Sequence, residues 1–133
     1  MQKPLIVGLQ GRVVALDVHT GEVLWHNELP GSGSSSVALA VTEDWVFASA
    51  SAARVFCLNR QTGAVVWSAK TTGLGRATIL TDLEEEKVFV GKSGRIDCFS
   101  MAYGESEWTK DLSKLGKKSM ALGLADNVVQ ADQ

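Results

Sequence analysis

A fourteen-residue segment ending in tryptophan occurs three times in this 133-residue chain, and that recurrence restricts the fold more than any other feature. Arg12 to Trp25 reads RVVALDVHTGEVLW. Arg54 to Trp67, 42 positions on, reads RVFCLNRQTGAVVW and is identical to the first copy at seven of fourteen positions. A third copy, Arg95 to Trp108 (RIDCFSMAYGESEW), follows 41 positions later and retains the arginine, the glycine and the tryptophan. Helical arrays of similar period carry apolar residues every 3.6 positions, which these segments lack, so the period favours four-stranded propeller blades.

The local pattern within each copy predicts a hairpin. Val13-Val14-Ala15-Leu16 and Glu22-Val23-Leu24-Trp25 are short β-branched or aromatic runs separated by Thr20-Gly21. Gly21, Gly63 and Gly104 supply the positive φ that such turns demand, and Asp17 or Asn59 can fold back onto turn amides. Between the hairpins lie two further strand-like runs per repeat: Ser36 to Val41 with Trp45 to Ser49, then Ala77 to Leu80 with Lys87 to Val90. Many of these runs are continuously apolar, as expected of sheets covered on both faces. With strands labelled A to D from the axis outward, the chain is expected to read BCD, ABCD, ABCD, AB. The fold class predicted is all-β, one domain over 1–133. Blade 1 covers about 4–29, blade 2 about 36–70 and blade 3 about 77–112, with C-terminal A and B strands at about 119–131.

At Ala15-Leu16-Asp17-Val18-His19-Thr20-Gly21-Glu22-Val23-Leu24-Trp25 the sequence resembles the tryptophan-docking motif of the pyrroloquinoline-quinone-type propeller repeats, AxDxxTGxxxW. The first copy matches at Ala15, Asp17, Thr20, Gly21 and Trp25. The second keeps Thr62, Gly63 and Trp67, and the third only Gly104 and Trp108. The resemblance implies that each indole packs between adjacent blades with its N–H on a backbone acceptor, a structural role. The family it resembles includes quinoprotein dehydrogenases with a catalytic aspartate, a calcium site and often a vicinal cysteine pair, none of which can be mapped onto this chain. It also includes non-catalytic assembly and sensor domains. The expectation is a non-catalytic scaffold for protein–protein interaction with no cofactor and no metal. A small-molecule or quinone sensor module and a fragment of a quinoprotein dehydrogenase remain as alternatives.

Charge and composition narrow the partners. Thirteen basic residues against fifteen acidic give a formal net charge of −2, which predicts no nucleic-acid partner. No apolar run approaches the ~18 residues that span a bilayer, so no membrane insertion is expected. Met1-Gln2-Lys3-Pro4 enters a strand-like run without an apolar leader and predicts a cytoplasmic protein, a periplasmic one if a signal peptide has been removed. Cys57 and Cys98 occupy the slot held by Ala15 in the first copy and read as small core residues. His19 and His26 have no recurrent partner, and Glu84 to Glu86 and Lys114 to Lys118 read as solvated loops. Arg12, Arg54 and Arg95 recur at the start of every C strand; they form either an anion- or partner-binding arc or soluble stems covering apolar neighbours. Rings need ~4–8 blades, so the chain is expected to associate with itself, most simply as a two-fold dimer, unless it is part of a longer propeller.

Overall fold

The computed structural model describes residues 3–50, 52–125 and 128–130, the last three as backbone. The first sheet holds β1 (Leu5–Leu9), β2 (Arg12–Leu16) and β3 (Val23–Glu28). The second holds β4 (Ala38–Val41), β5 (Trp45–Ser49), β6 (Arg54–Asn59) and β7 (Val65–Lys70). The third holds β8 (Thr78–Asp82), β9 (Lys87–Lys92), β10 (Arg95–Ser100) and β11 (Ser106–Asp111), and β12 (Ala121–Gly123) pairs with β13 (Val128–Gln130). Every pairing is an antiparallel one between sequence neighbours, and no helix occurs among the described residues. The chain is therefore all-β, in sheets of blade type. The first-copy hairpin, the two that follow it and their preceding strand pairs fall into successive sheets. Asn127 and Ala131, at the margins of the expected last strand, lie outside the described residues.

The continuous apolar runs are explained by the pleat. In β5, Val46 and Ala48 belong to a core shared with Val13 of the first sheet and Leu29 just beyond it, whereas Phe47 faces Ile79, Val88 and Val90 of the third. β6 repeats the division: Phe56 and Leu58 point back, and Val55 and Cys57 point forward. Successive side chains leave a strand on opposite faces, so a sheet between two others needs apolar residues at both parities. Successive sheets meet through their inner strands, β4 against β8 and β8 against β12.

Each hairpin carries the same irregularity. Pairing slips by one residue after Ala15, Cys57 and Cys98, and those residues stand opposite Trp25, Trp67 and Trp108. The extra residue bends the outer strand next to the large ring. A fully buried small side chain opposite leaves the ring room, which accounts for alanine or cysteine in that slot.

Candidate functional site

The chemistry-bearing groups fall into three places: the seams between sheets, and the two loop faces. The first seam is built around Trp25. Its ring lies against Gly63 of the next sheet, where a Cβ would sit 2.4 Å from Cε3. Its Nε1–H donates to the Arg60 carbonyl at 3.0 Å, and Asn27 Nδ2 donates to the Gly63 carbonyl at 2.8 Å. The second seam repeats this. Trp67 lies on Gly104, its Nε1–H donates to the Met101 carbonyl at 2.9 Å, and Phe47 and Phe99 pack beside it at 5.9 and 6.3 Å. Burying an indole removes about 150–250 Å² from water, roughly 4–6 kcal/mol at ~25 cal/mol per Å².

The receiving turns are shaped by the other residues of the repeat. Asp17 Oδ1 accepts from the His19 and Thr20 amides, and Thr20 Oγ1 from the Glu22 amide. These amide bonds hold the Asp17 carboxyl below its ordinary range. Asn59 and Thr62 make the equivalent three bonds in the second copy. Gly21, Gly63 and Gly104 each donate an amide to the residue four earlier and hold φ at +77°, +77° and +70°. In the third copy Ser100 Oγ accepts from the Tyr103 amide, as Asp17 does from Thr20, and also from the Glu105 amide, whose counterpart Glu22 bonds Thr20.

Trp108 differs from the other two. It is 46% exposed and rests on Phe89 of its own sheet, with ring centroids 6.0 Å apart, and no receiving turn faces it among the described residues. At the other end of the chain a Cβ on Gly21 would meet nothing within 4 Å, and Val18 is exposed. The two ends thus present the two halves of the seam.

The recurrent arginines do not act alike. Arg12 pairs with Glu28 at 3.6 Å and Arg95 with Asp111 at 3.2 Å, each carboxylate ending the adjacent outer strand. Arg54 stands opposite Lys70 in the same register. Two of the three guanidinium groups thus stand in surface ion pairs, with Arg12 and Arg95 still about half exposed. His19 and His26 are exposed, and no group of three or more metal-ligating side chains occurs among the described residues. Cys57 and Cys98 are buried free thiols; burial pushes Cys57 up to about 12, so it is neutral and inert at physiological pH.

Two groups stand out that the repeat pattern did not flag. Arg60 donates from Nη1 to the Thr42 carbonyl at 2.9 Å and from Nη2 to the Pro4 carbonyl at 3.0 Å, tying three segments together. Lys92, 1% exposed, donates from Nζ to the Ala50 and Ala52 carbonyls at 3.1 and 2.7 Å. Burial lowers the Lys92 ammonium to about 8, opposed by the Asp97 carboxylate. The signal for both was a cation in a slot that is apolar in the other copies: Val18 and Met101 for Arg60, Leu9 and Ala50 for Lys92.

The near-neutral total conceals a segregation of charge. Antiparallel strands place the turns between first and second strands, and between third and fourth, at one end of each sheet. That end carries Glu43, Asp44, Asp82, Glu84, Glu85 and Glu86. The opposite end carries Arg54, Lys70, Arg76, Lys114, Lys117 and Lys118. On this basic face a cleft of about 500 Å³ is lined by Arg76, Ser93, Lys117, Lys118 and Ser119.

Comparison with known proteins agrees with the architecture. The PQQ_2 family, described as outer membrane protein assembly factor BamB, matches residues 9–132. No curated protein matches the chain. Among solved structures, BamB from Moraxella catarrhalis is 24% identical over 93% of this chain with a TM-score of 0.63. The chain spans 37% of that protein's length. The computationally designed Ika4 protein is 20% identical, with 97% of this chain and 78% of that one covered and a TM-score of 0.77. A quinohemoprotein alcohol dehydrogenase from Comamonas testosteroni is 19% identical over 82% of this chain and 20% of its own, with a TM-score of 0.61. At these identities the likeness is one of fold, a β-propeller of quinoprotein-type repeats.

Proposed function

The chain belongs to the outer membrane protein assembly factor BamB family of propeller repeats, and from that premise we propose that it is a non-catalytic scaffold for protein–protein interaction. The observation that carries this reading is the segregation of charge onto two loop faces of a stiff stack of sheets. Faces of opposite sign steer and orient macromolecular partners, and loops held on a rigid frame are where propellers vary. The test is twofold. The chain is expected to retain a defined protein partner through crosslinking and reconstitution. It is expected not to oxidise alcohols or sugars with an artificial electron acceptor when quinone and calcium are supplied. Turnover in that assay, or quinone binding that shifts Trp fluorescence, would replace the scaffold by one of the alternatives. For the compartment, the family description favours the periplasm over the cytoplasm expected from the sequence, and cell fractionation decides.

A second reading concerns self-association. Trp108 at one end and the Val18–Gly21 turn at the other are supplied by one chain as the halves of a seam it already forms twice. We infer that two copies close on one another through these halves. In that closure β12 of one copy would lie beside β1 of the other, which requires β13 to leave β12. Light scattering at micromolar concentration is expected to give a mass above that of the 14.2 kDa chain, and Trp108→Glu to return it to that of one chain. A wild-type mass of one chain would overturn the inference.

A further inference from the structure

We propose that the edge of β12 is a strand-acceptor site for β1 of a second copy, and that β13 gates it by occupying that edge until β1 displaces it. This gating rests on the self-association reading and adds what regulates it. In the second and third sheets the innermost strand pairs with the strand that follows it, Ala38 opposite Ser49 and Thr78 opposite Gly91. β12 continues the series. A Cβ on Gly8 would meet Leu39 at 3.2 Å, and one on Gly91 would meet Leu122 at 3.6 Å, so Ala121 holds the register of Ala38 and Thr78. The chain has two strands for that one edge. β13 sets Gln130 opposite Ala121. β1 carries Gly8 at the register of Ser49 and Gly91, and no inner strand pairs with it among the described residues.

Of the two, β13 is the lesser occupant. Its ladder with β12 has three residue pairs, against four between β4 and β5 and five between β8 and β9. Ala121 and Gly123 stay exposed, whereas Thr78, Ile79 and Leu80 are buried. Among the described residues β13 has no further strand beside it, while β1 arrives with β2 and β3 attached and would complete a four-stranded sheet. The second strands of the first three sheets also keep Gly8, Ser49 or Gly91 at the register where β13 has Gln130. A small residue is needed there because the next inner strand crowds it: a Cβ on Gly8 would lie 3.1 Å from Val37.

Exchange would cover what each chain leaves open. Leu5 and Leu9 are 51% and 45% exposed. Their counterparts in the internal sheets are Val46 and Val88 at 0%, and Ala50 and Lys92 at 1%. Trp108 of one copy would come to lie on Gly21 of the other and donate its Nε1–H to the Val18 carbonyl, the counterpart of the Arg60 and Met101 carbonyls that receive Trp25 and Trp67. Strand addition to an exposed edge supplies main-chain hydrogen bonds as well. A site that is open only a fraction of the time binds more weakly by that fraction, and a closed pair has two such junctions, so the hold of β13 counts twice.

The experiment is sedimentation equilibrium of the whole chain. Val128→Pro/Val129→Pro is expected to tighten pairing at least about tenfold. Successive residues turn their N–H groups to opposite edges of a strand, so the two prolines remove whichever donor faces β12. Adding Trp108→Glu to that variant is expected to return the mass to that of one chain, which ties the gain to the seam. The converse variant is Ala121→Cys/Gln130→Cys, whose directly opposed positions are within disulfide reach. With that bond formed it is expected to stay at the mass of one chain, and to pair again on reduction. A wild type that pairs, with affinity unchanged or weakened by the prolines or undiminished by the disulfide, would overturn the gate and leave closure standing. The mass of one chain for both the wild type and the proline variant would overturn the gate and closure together. Growth of the proline variant beyond two chains would overturn the closed pair in favour of open-ended stacking.

Discussion

The glycine of each receiving turn answers to two demands that mutation can separate. Gly21 and Gly63 share a φ of +77°, yet only Gly63 has an indole where its Cβ would be. In a single chain, alanine at Gly21 is expected to cost about 1 kcal/mol, the strain of a left-handed backbone, and alanine at Gly63 about 3 kcal/mol or more because Trp25 must also move. Urea unfolding midpoints of the two variants read the difference directly. Lys92 allows a second test. Its folded value near 8 lies below the ordinary lysine range, so between about pH 8 and 10.5 the unfolded chain holds the proton more tightly than the folded one. Between about pH 8 and 9 stability therefore rises with pH, by on the order of 1 kcal/mol per unit; above about pH 9 the buried Cys57 thiol, pushed up to about 12, opposes that rise because it ionises first in the unfolded chain. Lys92→Met is expected to flatten the rise between pH 8 and 9, as followed by unfolding at pH 7, 8, 8.5 and 9.

At the scale of strands and turns, Arg60 links pieces far apart in sequence: the entry to β1 at Pro4, the turn before β5 at Thr42, and the carbonyl that receives Trp25. Arg60→Ala is expected to loosen β1 before the rest of the stack, seen as selective loss of amide-exchange protection in residues 5–9. Trp67→Ala is expected to cost about 3–5 kcal/mol, whereas Trp108→Ala costs less than about 1 in a single chain. The strands and their order in each sheet are legible in the sequence because their causes are local and repeat: a Gly turn, a β-branched run, apolar residues at both parities. The turns that end in tryptophan can be located the same way. The ties made by Arg60 and Lys92 cannot be, since each cation is absent from the other copies and their acceptors lie 56 and 42 residues away. The polarity of the faces escapes a linear reading for another reason. Acidic and basic turns alternate along the chain, so every window averages toward neutrality while the fold sorts them to opposite ends.

Over the whole molecule, the fold is a row of sheets in which each touches its neighbours, so stability accumulates sheet by sheet as in other repeat proteins. Central strands such as β5 and β6 are covered on both sides, while β11 and β3 are largely exposed along their outer edges. An end sheet lacking its neighbour is expected to fray first, and a Trp108→Glu chain to show earlier proteolytic cleavage in β11 than in β6. The bulge, the small residue opposite the ring and the positive-φ glycine together make a joint that is the same wherever it occurs. Duplication or deletion of one whole repeat in the gene leaves every remaining joint with both its halves. Lineages of such chains can therefore lengthen or shorten by entire blades without inventing a new core, and ring size becomes a matter of copy number.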